Sequence, residues 1–120
     1  MDIYNNLNNL PIIDWEAGIR LAGNQRTLAE DLLQFLLKDL NATLTSIKEL
    51  HNIQDYKKLL HETHKLHGAV RYCGLPRLKI ILERLESDLK NNIMDDLSLH
   101  LQQLDTEIKI LLEHHPTLSN

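Results

Sequence analysis

Residues 54–74 read QDYKKLLHETHKLHGAVRYCG, and the side of a helix on which each residue falls decides the fold. At about 100° per residue, Tyr56, Leu59, Leu60, Thr63, Leu66, Val70 and Cys73 gather on one broad apolar side. Opposite them, Lys57, His61, His64, Gly68 and Arg71 fall within about 40° of a single line. Lys65 lies beside that line and His67 near the edge of the apolar side. Gly74 suits the position just past the end of such a helix. A helix of this kind cannot bury its apolar side alone, so it demands partners with stripes of their own.

Those partners stand on both sides of it. Downstream, Pro76 suits a first turn, and Leu78, Ile81, Leu82, Leu85 and Leu89 recur at 3–4 spacing until Asn91-Asn92 interrupts. Asp95 and Asp96 then open a helix striped by Leu97, Leu101, Leu104, Ile108 and Leu111, with Pro116 after its end. Upstream, a long helix over about 25–50 carries Leu28, Leu32, Leu36, Leu40, Leu44 and Ile47 on one side. Before it, Asp14 caps a short helix that runs to about 22 and stops at Gly23-Asn24. Four long amphipathic helices with short connections predict an all-α fold, an up-down-up-down four-helix bundle with a short extra N-terminal helix. Residues 12–116 form this bundle, 1–11 read as a flexible arm or linker remnant, and 117–120 as a tail. Trp15, Phe35 and Tyr72 are expected at the core or its boundary, and His51, His100, His114 and His115 at the surface or at helix ends.

Composition agrees with one domain of this type. The chain has 120 residues and 13.9 kDa, 42% of them apolar and 25% charged, with 26 leucines against 4 glycines and 3 prolines. Cys73 is the only cysteine, which excludes an internal disulfide and any multi-cysteine zinc site. No apolar run approaches ~20 residues and no signal peptide opens the chain, so a cytoplasmic location is expected. The net charge of −4 argues against nucleic acid as a partner. It is unevenly spread: residues 57–84 hold seven Lys/Arg against Glu62 and Glu83, leaving the rest with six basic and fifteen acidic residues. A cationic segment on an acidic body points to an anionic partner.

Three chemistries compete for the histidines. A metal site is disfavoured, because His61, His64 and His67 fan across about 120° of the helix and the zincin spacing is not met. Acid–base or covalent hydrolysis needs an orienting partner in a concave site, and the sequence offers none. Phosphoryl transfer through an imidazole needs a neutral accessible nitrogen, nearby cations and room for a donor. His64, Lys65 with Arg71, and Gly68 supply these at helical spacing. Gly68 in mid-helix costs about 1 kcal/mol relative to alanine, and either a partner's approach or close packing on a neighbouring helix explains it. A helical module that docks partners without transfer, and a structural or metal-responsive bundle, are the other classes these features allow.

The run His64-Lys65-Leu66-His67-Gly68-Ala69, followed by Gly74-Leu75-Pro76-Arg77-Leu78, resembles the signature of histidine-containing phosphotransfer (HPt) domains, in particular the C-terminal HPt domain of BarA/GacS-type hybrid sensor kinases. Residues 14–24 and 32–36 also resemble that family's opening helix and first bundle helix. By position the resemblance makes His64 the phosphorylated histidine. His67, in place of the commoner lysine, becomes the residue assisting near the phosphoryl group, and Gly68 the glycine that keeps the face open for a receiver domain. Arg71 stands where many relatives have a small residue, and would either clamp phosphoryl oxygens or restrict which receivers dock. Lys57, His61, Lys65 and Arg71 would meet the phosphoryl group and receiver. The family's role implies receiver domains of a hybrid sensor kinase and of a response regulator as partners. It implies Mg²⁺ in the receiver only and no cofactor here; no membrane contact by this domain is expected, and a monomer is the default for an isolated domain. The sequence holds no glycine-rich phosphate loop, so no ATP-dependent kinase activity is expected of these residues.

Overall fold

The computed structural model describes residues 7–114, in five helices. They are α1 (Trp15–Leu21), α2 (Arg26–Asn52), α3 (Tyr56–Val70), α4 (Pro76–Lys90) and α5 (Leu97–His114). Each long helix packs on the next, and α2 closes the ring against α5, giving the up-down-up-down bundle, with α1 laid against α2. The cap of α1 lies where the sequence puts it, whereas α3 ends at Val70 with Arg71 as its cap, short of the end at Cys73-Gly74 that the sequence suggests. The Asp14 carboxylate accepts from the Ala17 N–H, and Asp55 caps α3 in the same way through Lys58. Gly23, Asn24, Gln54, Gly74 and Asn92 take positive φ between the helices.

The core is aliphatic. Leu59, Leu66 and Val70 of α3 meet Leu78, Ile81, Leu82, Leu85 and Leu89 of α4, and Leu97, Leu101, Leu104, Ile108 and Leu111 of α5. Four expectations need correction. In α2 the buried residues are Ala29, Leu33, Leu37, Leu40, Leu44 and Ile47, whereas Leu28 is 41% exposed and Leu32 and Leu36 are only partly buried. A strict i, i+4 series drifts by about 40° per step, so Leu28 and Leu44 cannot share a face, while the alternating 4-3 series can. Phe35 and Tyr72 are exposed, at 74% and 62%, not core. His100 is not a surface residue: it is buried on α5, its Nδ1 2.9 Å from Oδ2 of the equally buried Asp88 on α4.

The fourth correction concerns the arm. From Leu7 onward it is seated: Leu7 is buried in the core, and the Leu10 carbonyl accepts from Arg77 Nε at 2.9 Å. Residues 1–6 of that arm, with His115, Pro116 and the tail 117–120, lie outside the described residues. Arg77 also pairs with Glu107 of α5 at 3.5 Å, so this cation of the basic segment is held inside the fold. Truncating the α3 side of the core, Leu66→Ala, is expected to destabilise the chain by about 2–5 kcal/mol, read from chemical denaturation. An unchanged midpoint would mean that this face of α3 carries no core.

Candidate functional site

The outer face of α3 presents Lys57, His61, His64, Lys65 and Arg71 to solvent, with Gly68 among them. The structure brings together two of the histidines, through a residue the sequence reading did not single out. Glu86 of α4 is buried, its side chain 9% exposed, and its carboxylate spans the groove to α3. Its Oε2 lies 2.9 Å from His64 Nδ1, and its Oε1 lies 2.8 Å from His67 Nδ1. Lys90, one turn further along α4, places Nζ 2.9 Å from the same Oε2 that His64 uses.

Burial works against the charge on Glu86. The hydrogen bonds from His64, Lys90 and His67, with the attraction of the Lys90 ammonium, outweigh it and hold the carboxyl down at about 2 instead of the ordinary 4.5. At neutral pH the carboxylate is therefore ionised and can only accept, so both Nδ1 atoms donate. For His64, whose side chain is 67% exposed, this leaves Nε2 as the free nitrogen of the neutral ring. His67 lies where the helical wheel puts it, near the edge of the apolar side. Its side chain is only 16% exposed, Nδ1 is committed to Glu86, and Nε2 is buried without a hydrogen-bond partner, 3.9 Å from Glu83. It acts on the site as a second donor to Glu86 and does not stand on the exposed face.

Glu86 was within reach of the sequence. It lies four residues after Leu82 and three before Leu89, on the apolar stripe of α4, where a charge is costly unless paired. Gly68 is now accounted for from one side: a Cβ there would meet nothing within 4 Å. Close packing within the chain does not require that glycine. Cys73 offers no competing nucleophile, because burial pushes its thiol up to about 11. Beside the histidine face, between α2 and α3, runs an apolar groove of about 390 Å³ whose walls include Leu32, Phe35, Leu36, Leu66, Ala69 and Tyr72, with Lys65 at its edge. No helix among the described residues is long and apolar enough to cross a membrane.

A helical bundle carrying an exposed histidine, oriented by a buried carboxylate, defines a class, and the comparisons identify it. The Hpt domain profile matches residues 31–114, and the chain belongs to the Hpt domain family. It is 36% identical over 106 residues to the sensor protein GacS of Pseudomonas syringae pv. syringae, covering 83% of this chain. It is 32% identical over 84 residues, 70% of its length, to the signal transduction histidine-protein kinase BarA of Escherichia coli (strain K12). The chain spans 12% and 9% of the lengths of those two relatives. Among solved structures, the HPT domain of a sensor hybrid histidine kinase from Shewanella superposes with a TM-score of 0.73 at 27% identity, over 91% of this chain and 97% of that one.

Two outcomes test this geometry. Gly68→Ala is expected to raise stability by up to about 1 kcal/mol, since the added methyl meets nothing within the chain; a loss of stability in thermal melts would contradict the open space. Glu86 contributes stability that is full above 4.5 and lost as pH falls through about 2, because its carboxyl is held down in the folded state. Wild type should therefore lose more melting temperature between those pH values than Glu86→Gln does, and parallel losses would refute the buried ionised carboxylate.

Proposed function

We propose that this chain is the histidine phosphotransfer module of a phosphorelay, taking a phosphoryl group from a receiver-domain aspartate onto His64 and passing it to a response-regulator aspartate. The observation that carries this reading is the His64–Glu86 hydrogen bond. It fixes the proton on Nδ1 and leaves the Nε2 lone pair on an exposed ring. In the transfer, Nε2 attacks phosphorus, the phosphorus–oxygen bond of the aspartyl phosphate breaks, and its electron pair returns to the aspartate carboxylate. The proton on Nδ1 stays where it is. The ring gains positive charge as the new bond forms, and the Glu86 carboxylate beside Nδ1 stabilises that charge in place. The reverse sequence releases the group to the second aspartate.

This chain supplies the nucleophile and its orientation, so the Mg²⁺ and the acidic pocket are assigned to the receiver. Lys57, His61, Lys65 and Arg71 lie exposed along the same face, as complements to that acidic pocket, and they steer encounter more than they tighten it. The apolar groove with Phe35 and Tyr72 adjoins this face, and it fits the receiver domain as occupant because the two form one continuous surface. Large exposed aromatics beside a charged rim have the anatomy of a docking site. The reading places the module in the cytoplasm, as a monomer that engages one receiver at a time.

The test is incubation with a receiver loaded by acetyl phosphate. Acid-labile, base-stable label should accumulate on the chain, and His64→Gln should abolish it while leaving the helical spectrum unchanged. Label retained by that variant would remove His64 from the reaction. A receiver that binds without ever labelling the folded wild type would make the chain a docking module.

A further inference from the structure

A buried carboxylate that orients His64 also creates a difficulty. An anion 2.9 Å from one ring nitrogen favours the imidazolium form, and an imidazolium has no lone pair on Nε2 with which to attack phosphorus. Glu86 alone would orient the nucleophile and protonate it together. The resemblance assigns the neighbouring assisting role to His67, yet His67 turns inward and gives its Nδ1 hydrogen to the other oxygen.

Lys90 occupies the place that resolves this. Its Nζ and His64 Nδ1 lie 2.9 Å each from the single atom Oε2, so the ammonium sits beside the imidazole on the same acceptor. The lysine side chain is 56% exposed and the carboxylate 9%, so the cation reaches the buried oxygen from the solvent side, where His64 also stands. We infer that Lys90 is a positioning residue for the transfer reaction: by sharing Glu86 Oε2 with His64 it offsets the carboxylate's charge and keeps the resting imidazole neutral, with Nε2 available. This inference rests on His64 being the phosphoryl acceptor. The charged groups around His64 come from α3, through His61, Lys65, Glu62 and His67, and from α4, through Glu83, Glu86 and Lys90; α2 presents Asp39 to the groove beside Lys65. Lys65 is drawn toward Glu62 at 3.8 Å, whereas Lys90 is the cation seated on the oxygen that His64 uses.

A lysine in the last turn of a helix also has a plain structural use, because it complements the helix dipole. The experiment separates the two. In the free chain, with no receiver, the His64 ring is followed through a pH titration by ¹⁵N NMR. Lys90→Met, which keeps the aliphatic stem, should raise the His64 titration midpoint by about half a pH unit or more, while Lys90→Arg should stay with wild type. Adding Glu86→Gln to Lys90→Met should cancel the rise, because the charge to be offset has gone. Equal midpoints in wild type and Lys90→Met would overturn the inference, and a fall in melting temperature with no change in midpoint would mark Lys90 as a helix-end residue only. With a phosphorylated receiver, Lys90→Met should accept label more slowly at neutral pH, by at most about threefold for a half-unit rise, the deficit closing as pH rises. Equal rates at every pH would also overturn the inference. Absence of label on wild type itself would instead refute the role of His64, and the titration would still decide the role of Lys90.

Discussion

The Glu86 carboxylate is the constraint on which the site depends. A charge with so little exposure is retained only where hydrogen bonds replace the water it has lost, and here three donors do so, two from α3 and one from its own helix. Once those bonds exist, much else is determined. The spacing of α3 and α4 is set at the level of His64 and His67, both imidazoles turn Nδ1 to the carboxylate, and Nε2 of the exposed His64 is left outside that bond. The chemistry of the surface is therefore fixed by a residue almost hidden beneath it.

The same logic runs along the whole of α4. Asp88 faces α5 and meets His100, and Arg77 at the other end meets Glu107 of α5 and the carbonyl of Leu10. For Glu107 burial raises the carboxyl and the nearby guanidinium opposes that rise, so this ion pair is held in a costly place by its geometry. An aliphatic stripe of leucines tolerates small rotations and slips. Three polar contacts with fixed partners on α3, α5 and the N-terminal segment do not, and they give α4 one register among the apolar alternatives.

How much of this was legible in the sequence varied with the kind of signal. The stripe of α5 alternates steps of four and three, which stay on one face of a helix, and every one of its residues is buried. In α2 two apolar series run side by side, and the evenly spaced one drifts off the core toward the groove beside α3. Composition could not tell them apart, although the drift of 40° per step could have. Phe35 and Tyr72 misled for a related reason: an aromatic residue is expected inside unless something outside the chain covers it. His64 and Gly68 were visible because they break the pattern of a helix on its solvent face. Glu86 was legible only as a charge on the apolar stripe of α4; its partners, like the pairing of Asp88 with His100, are distant in sequence, and only the packed helices bring them together.

Two glycines six residues apart show how local rules and function divide this chain. At Gly74 the backbone has positive φ, and a Cβ would run into the backbone of Asp14 and Gly18, so the turn after α3 can seat α1 only without a side chain. The hydrogen bond from Asp14 N–H to the Gly74 carbonyl, at 2.8 Å, completes that contact. At Gly68 the reverse holds: the conformation is helical, the space is empty, and alanine would serve the fold better. The first glycine is required by what the chain does to itself. The second weakens the helix without any return inside the molecule, a cost that the proposed docking of a receiver over His64, one turn away, would explain.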